Sequence, residues 1–207
     1  QKLITEEILS VFPTHAVLGE EGYTGDRNSE YEWIVDPIDG TVNYFYTIPW
    51  FCVSIALRRR GEIVLGVIYD PMMDECWHVE KGGIPYMNDH PMHCSRREKM
   101  AEAVVFVGHG KTDGSKEKGI ERFAKIAWQV RKVRNNGSAA LALAYIASGR
   151  FDAYVESVIS IWDIAAGVLL VEAAGGKVVL EPKEDNPEQF AIVAWNGRIP
   201  IMEALDE

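Results

Sequence analysis

The stretch WIVDPIDGTVNY, residues 33–44, determines how the rest of this sequence is interpreted. An apolar run typical of a buried strand leads into a turn with two carboxylates, Asp36 and Asp39, whose spacing lets the turn bring both to one side. Gly40 permits a close backbone approach, and Thr41 stands where a helix is predicted to begin, so that backbone amides there can bind a phosphate. Because carboxylate and carbonyl oxygens are the ligands that Mg²⁺ prefers, the stretch predicts a magnesium site at the end of a strand.

Two further acidic clusters stand at the ends of predicted elements rather than on helix faces. Glu20 and Glu21 directly follow a short strand, and Asp163 begins an apolar helix as its predicted N-cap. Taken alone, each feature also has an ordinary interpretation. The two glutamates are typical of a solvated pair, and Asp163 is typical of an ordinary helix cap. The Asp-Pro-x-Asp-Gly stretch is typical of a surface turn. The apolar flanks of residues 33–44 favour instead a turn that emerges from the core, and carboxylates placed there favour a metal site.

The composition is that of an ordinary globular protein and excludes several classes of partner. Of 207 residues, 47% are apolar and 25% are charged, which supplies a sizeable core and argues against disorder. The 21 basic and 31 acidic residues leave a net charge of −10, and without a basic stripe we expect no nucleic acid partner. No window approaches about 18 apolar residues without a charge, so we also expect no membrane partner.

Cysteine and histidine usage bears on the compartment and on other metal sites. The three cysteines, Cys52, Cys76 and Cys94, form no C-x-x-C pair, which is typical of free thiols in a reducing compartment. No signal-like apolar stretch follows Gln1, and we therefore expect a cytoplasmic protein. The five histidines lack metal-ligand spacing, and we interpret them as structural or solvent-facing.

The pattern of the chain changes near residue 100. We expect a single domain over residues 1–207, with an antiparallel-sheet half that carries the metal site (about 1–100) and a layered α/β half (about 101–207). Strands are predicted over residues 15–18, 31–35, 51–57, 63–69, 75–80, 104–107, 130–133, 151–155, 177–180 and 191–194. Helices are predicted over residues 2–11, 116–128, 138–148 and 164–174, with a short helix at the end.

Six motifs taken together resemble one known family, the inositol monophosphatases, which are Mg²⁺-dependent, lithium-sensitive phosphomonoesterases. The motifs are LGEEG (18–22), WIVDPIDGTVNY (33–44), GVIYDP (66–71), NGSAAL (136–141), YVES (154–157) and IWDIAAG (161–167). They stand in the family's order and spacing over essentially all 207 residues. The resemblance implies an αβαβα sandwich of the inositol monophosphatase/fructose bisphosphatase type. It also implies a homodimer that acts on a small-molecule phosphate monoester.

The same resemblance assigns roles to individual residues. It implies two or three Mg²⁺ ions held by Glu20, Asp36, the carbonyl of Ile38, Asp39 and Asp163. It implies that catalysis involves Glu20, Thr41 and Asp39, with Glu20 and Thr41 close to the attacking water. It implies substrate contacts from Gly40, Thr41, Ala139, Glu156 and Asp163, of which Ala139 and Glu156 meet the inositol ring.

One departure from the family pattern concerns its N-terminal part. Family members have a further helical segment, ending in an acid that activates the water, before the position that matches Gln1. We therefore expect the first helical layer to be missing in part, so that the chain keeps the metal ligands and lacks one member of the water-activating pair.

Inositol monophosphate is the expected substrate, since Asn43-Tyr44 and Glu156 fit the inositol-directed branch. The alternatives within the same superfamily are a fructose-1,6-bisphosphatase, a histidinol phosphatase or a 3′-phosphoadenosine 5′-phosphate phosphatase. An alternative from another class is a non-catalytic metal-binding relative.

Overall fold

A computed structural model describes residues 1–110 and 113–206, and its strands form two sheets. The first sheet contains β1 (Ala16–Gly19), β2 (Gly22–Thr24), β3 (Tyr31–Asp39), β4 (Cys52–Arg59), β5 (Glu62–Asp70), β6 (Glu75–Glu80), β7 (Tyr86–Met87) and β8 (His90–Pro91). Their order across the sheet is β2-β1-β3-β4-β5-β6-β7-β8. Buried and less buried positions alternate along β4, because one face of the sheet packs on the core.

The second sheet and the helices complete the fold. The sheet contains β9 (Val104–Val107), β10 (Lys132–Arg134), β11 (Ala153–Ser160), β12 (Lys177–Lys183) and β13 (Asn186–Trp195), in the order β10-β9-β11-β13-β12. The helices are α1 (Lys2–Val11), α2 (Thr41–Phe45), α3 (Asp113–Ala127), α4 (Ala139–Ala147), α5 (Ile161–Ala173) and α6 (Ile201–Asp206). None of the helices in the described part of the chain is long and apolar enough to cross a membrane.

The helices α4 and α5 lie between the two sheets. Helix α5 contacts β3, β4 and β5 on one side and β11, β12 and β13 on the other. Every residue of α4 except Tyr145 is buried, as expected for a helix that is apolar on all sides. Close approach depends on Gly66 of β5, where a Cβ would lie 2.8 Å from the carbonyl oxygen of Ala166.

Helix α3 and the segment after α1 lie on the outer faces of the two sheets. Helix α3 contacts β9, β10, β11 and α6 on the far side of the second sheet. The chain after α1 contacts the first sheet through Phe12, whose ring lies 5.8 Å from that of Trp33 on β3. The predicted layered α/β fold is therefore confirmed.

Several local predictions were wrong. The first sheet is mixed, because β1 and β3 are parallel and pair Leu18 with Ile34. Helix α3 begins at Asp113 rather than at 116. Strand β11 continues to Ser160, well beyond the predicted end at 155, because its later residues still pair with β13.

Candidate active site

The two aspartates of residues 33–44 lie on a bulged strand and not, as predicted, on a turn. Strand β3 continues to Asp39, and its pairing with β4 joins Asp36 to Ser54 and Asp39 to Cys52. One extra residue is therefore accommodated on β3 between these two pairs. A bulge of this kind redirects side chains, and here both carboxylates end up buried, with 2% and 6% of their surface exposed.

The N-termini of α4 and α5 meet this bulge. Oδ2 of Asp39 accepts hydrogen bonds from the Ser138 hydroxyl at 2.6 Å and from the Ala140 amide at 2.7 Å. Ser138 is the N-cap of α4, and its hydroxyl also accepts from the Leu141 amide at 3.2 Å. The positive end of the helix dipole and these donors together stabilise a carboxylate at this position.

Asp163 lies in the first turn of α5 and is not its N-cap, which corrects the prediction. Ser160 is the N-cap, and Asp163 is the third helical residue, whose carboxylate accepts from the Ser160 amide at 3.3 Å. The two residues form a capping box, so the side chain of Asp163 is held on the side of the helix that faces β3.

The three aspartates form one acidic group. One carboxylate oxygen from each of Asp36, Asp39 and Asp163 lies within 4.8 Å of the others. Burial, followed by repulsion from Asp36, raises the pKa of Asp39 to about 7. Burial, followed by the charge of Asp39 and a hydrogen bond with Asp36, raises the pKa of Asp163 to about 9. Since a divalent cation would relieve this repulsion and hard oxygen ligands suit Mg²⁺, the donor set fits a magnesium ion.

The acidic group lines a cavity of about 370 Å³. Glu20 lines the same cavity but is exposed and lies outside the group of three aspartates. Gly40 and Thr41 also line it; the Thr41 hydroxyl donates to the carbonyl oxygen of Ile38 at 3.0 Å. Gly40 has φ +92°, and a Cβ there would lie 2.8 Å from the carbonyl oxygen of Trp50, so this position requires glycine.

A different set of side chains occupies the other part of the cavity. Ala139 at the start of α4 and Glu156 on β11 line it, so the structure brings both predicted ring contacts to the same cavity as the aspartates. Glu156 is 8% exposed, and burial raises its pKa, which a hydrogen bond from Tyr154 and the charge of His109 counteract. Among the described residues that line the cavity, there is no lysine or arginine.

Sequence reasoning missed three residues of this cavity. Ser138 was predicted only as the first residue of a helix, yet its hydroxyl also donates to Asp39. Tyr154 stands in an apolar strand run and is indistinguishable there from a core residue. His109 was interpreted as structural or solvent-facing, and it is exposed but lines the cavity. One sequence feature could have identified Tyr154 as a residue of the cavity. It lies two positions before Glu156, and this spacing places both side chains on one face of a strand.

Comparisons with known proteins find relatives that match almost the whole chain. The profile of the inositol monophosphatase family matches residues 1–200. The inositol-1-monophosphatase of Mesorhizobium japonicum is 41% identical over 199 residues, covering 95% of this chain and 75% of that protein. The fructose-1,6-bisphosphatase/inositol-1-monophosphatase of Thermotoga maritima is 37% identical, covering 96% of this chain and 75% of that protein. The crystal structure of extragenic suppressor protein suhB from Bartonella henselae matches with a TM-score of 0.90 at 36% identity, over 100% of this chain and 81% of that one.

Proposed function

Because the chain belongs to the inositol monophosphatase family, and is a phosphatase by that membership, we propose that it hydrolyses inositol monophosphate to inositol and phosphate. The observation that carries the proposal is the composition of the cavity. Three aspartates suited to a divalent cation lie in one part of it, and a buried carboxylate, Glu156, lies in the other.

We place two or three Mg²⁺ ions at the acidic group. Asp36, Asp39 and Asp163 are the central ligands of this proposal, with Glu20 and the carbonyl oxygen of Ile38 completing the set. The Ile38 carbonyl accepts one hydrogen bond, from Thr41, and a carbonyl oxygen has a second lone pair. When bound, Mg²⁺ neutralises charge on the transferring phosphate and lowers the pKa of the attacking water.

The chain's own groups position the reactants. The Ser138 hydroxyl and the Ala140 amide fix one oxygen of Asp39, so this carboxylate needs no reorganisation when it binds a cation. The backbone amides of Gly40 and Thr41 contact the phosphate in this proposal. Glu20 and the Thr41 hydroxyl orient the attacking water, and no covalent nucleophile is required.

The lining of the cavity favours a monophosphate of a polyol over a bisphosphate. A second phosphate needs a cationic or strongly hydrogen-bonding partner, and the described lining residues include no lysine or arginine. Glu156 would repel a second phosphate but can accept hydrogen bonds from sugar or inositol hydroxyls. Fructose 1,6-bisphosphate and 3′-phosphoadenosine 5′-phosphate are therefore disfavoured.

Rates on four phosphate esters, measured side by side with Mg²⁺, test this assignment. We expect the highest kcat/KM for inositol 1-phosphate, inhibition by lithium, and lower values for fructose 1,6-bisphosphate, histidinol phosphate and 3′-phosphoadenosine 5′-phosphate. Glu156→Gln should reduce the difference in kcat/KM between inositol 1-phosphate and the other three esters. Glu172→Gln, at an exposed position of α5, should leave that difference unchanged. A better rate on another ester would overturn the substrate, and Mg²⁺ binding without hydrolysis of any ester would indicate a non-catalytic relative.

The segment after the acidic group supports a homodimer, which is part of the same proposal. Its exposed apolar residues are Val42, Tyr44, Phe45, Tyr46, Ile48 and Trp50. Phe45 is 77% exposed, and aromatic side chains bury about 150–250 Å² each when covered. Large exposed apolar patches on soluble proteins mark interaction sites. Phe45→Glu should convert a dimer to a monomer in sedimentation experiments; a monomeric parent protein would contradict the proposal.

A cytoplasmic location is the last part of the proposal. It is supported by Cys52, Cys76 and Cys94, which are all free thiols in the structure.

A further inference from the structure

Tyr154 and Glu156 form a buried pair in the floor of the cavity. They are two residues apart on β11, so their side chains lie on one face of the sheet, and both line the cavity. Tyr154 is 3% exposed, and its hydroxyl donates to Oε2 of Glu156. No described residue donates to the other oxygen, Oε1.

The end of β9 holds the same carboxylate from a second side. A Cβ at Gly108 would overlap with Oε2 of Glu156 and would lie 2.6 Å from its Cδ. The carboxylate therefore fills the space that a side chain at position 108 would take. Oε2 is fixed between the tyrosine hydroxyl and this backbone.

We propose that Tyr154 is a positioning residue for substrate recognition. Its hydroxyl donates to Oε2 of Glu156, so that Oε1 is left to accept hydrogen bonds from hydroxyls of the leaving alcohol. This inference rests on the proposed function and deepens it. It identifies what is selected, namely an alcohol that carries a hydroxyl at a fixed distance from the phosphate. Esters without such hydroxyls gain nothing from Tyr154, because they make no contact with Glu156.

Steady-state kinetics of Tyr154→Phe on two substrates separate this role from a structural one. We expect KM for inositol 1-phosphate to rise about tenfold, as for the loss of a hydrogen bond to a charged group, with little change in kcat. For p-nitrophenyl phosphate, which has no ring hydroxyl, kcat/KM should change less than about twofold. Tyr145→Phe is the matched control, because that ring packs against Arg150 outside the cavity, and the change should leave the rates on both substrates unaffected.

A double-mutant cycle and a binding measurement complete the test. If Tyr154 acts through Glu156, Tyr154→Phe added to Glu156→Gln should cause almost no further loss. An equal loss on both substrates, or additive losses in the cycle, would overturn the inference while the proposed function stands. If the parent protein hydrolyses neither ester, the proposed function fails. In that case the affinity for inositol 1-phosphate is measured by calorimetry, with Ca²⁺ in place of Mg²⁺, in the parent protein and in Tyr154→Phe. An affinity about tenfold weaker in the variant supports the inference, and equal affinities overturn it.

Discussion

Replacing Asp163 by Asn is expected to stabilise the metal-free protein and to remove its response to Mg²⁺. The pKa of this carboxyl is about 9 in the folded protein against an ordinary value of 3.8. Between these two values the folded state holds a proton that the unfolded chain has released, so the free energy of unfolding falls as the pH rises through this window. One pKa unit corresponds to about 1.4 kcal/mol, which sets an upper limit of about 4 kcal/mol at pH 7.

The asparagine removes this penalty and loses only a weak favourable interaction. Its side-chain oxygen can still accept from the Ser160 amide, whereas weakening the hydrogen bond between the protonated carboxyl and Asp36 costs about 1 kcal/mol. We therefore expect a net stabilisation of about 2–3 kcal/mol near pH 7, which shrinks towards zero near pH 4.

Urea unfolding in EDTA, repeated from acidic to alkaline pH, measures this difference. Asp89→Asn, at an exposed position, is the matched control and should follow the parent protein. With Mg²⁺ the parent should gain stability and the Asp163→Asn variant should not, because one ligand of the cation is lost. Parallel pH profiles in EDTA for the parent and this variant would refute the reasoning about the acidic group.

Three further predictions concern groups around the site. Gly40→Ala should destabilise the protein by about 1–3 kcal/mol in urea unfolding, because φ is +92° and the new Cβ would collide with the carbonyl oxygen of Trp50. Gly82→Ala, at φ +77° in open space, should cost less stability. Equal losses of stability in the two variants would contradict the steric argument. Ser138→Ala should weaken Mg²⁺ binding about tenfold by calorimetry, since Asp39 loses a donor, while Ser138→Thr should restore it. Asp152→Ala should cost about 3–5 kcal/mol in the same unfolding assay, because this fully buried carboxylate pairs with Arg97; a loss below about 1 kcal/mol would show that the pair contributes little.

The elements of the fold were largely predictable because their signals are local. Helix α1 and strands β6 and β9 have the predicted bounds, since each is set by an apolar period and a nearby turn. The parallel pairing of β1 with β3 was not predictable in this way, because it depends on contacts between segments that carry no complementary local signal.

The grouping of three aspartates was predictable from the resemblance, and the local geometry of that group only partly. The family resemblance brought Asp36, Asp39 and Asp163 together across more than a hundred residues, and the structure places them in one group. The bulge at Asp36 and Asp39 was missed because Asp-Pro-x-Asp-Gly suits a turn equally well, and only pairing with Ser54 and Cys52 of β4 distinguishes the two.

Phosphate release from inositol 1-phosphate, with and without Mg²⁺, by the parent protein and by Asp36→Asn tests the central claim most directly. The three-aspartate site predicts release that requires Mg²⁺ and that falls at least about a hundredfold in the variant, about 3 kcal/mol of transition-state stabilisation. Release in EDTA, or release that survives in Asp36→Asn, would contradict a mechanism based on this acidic group.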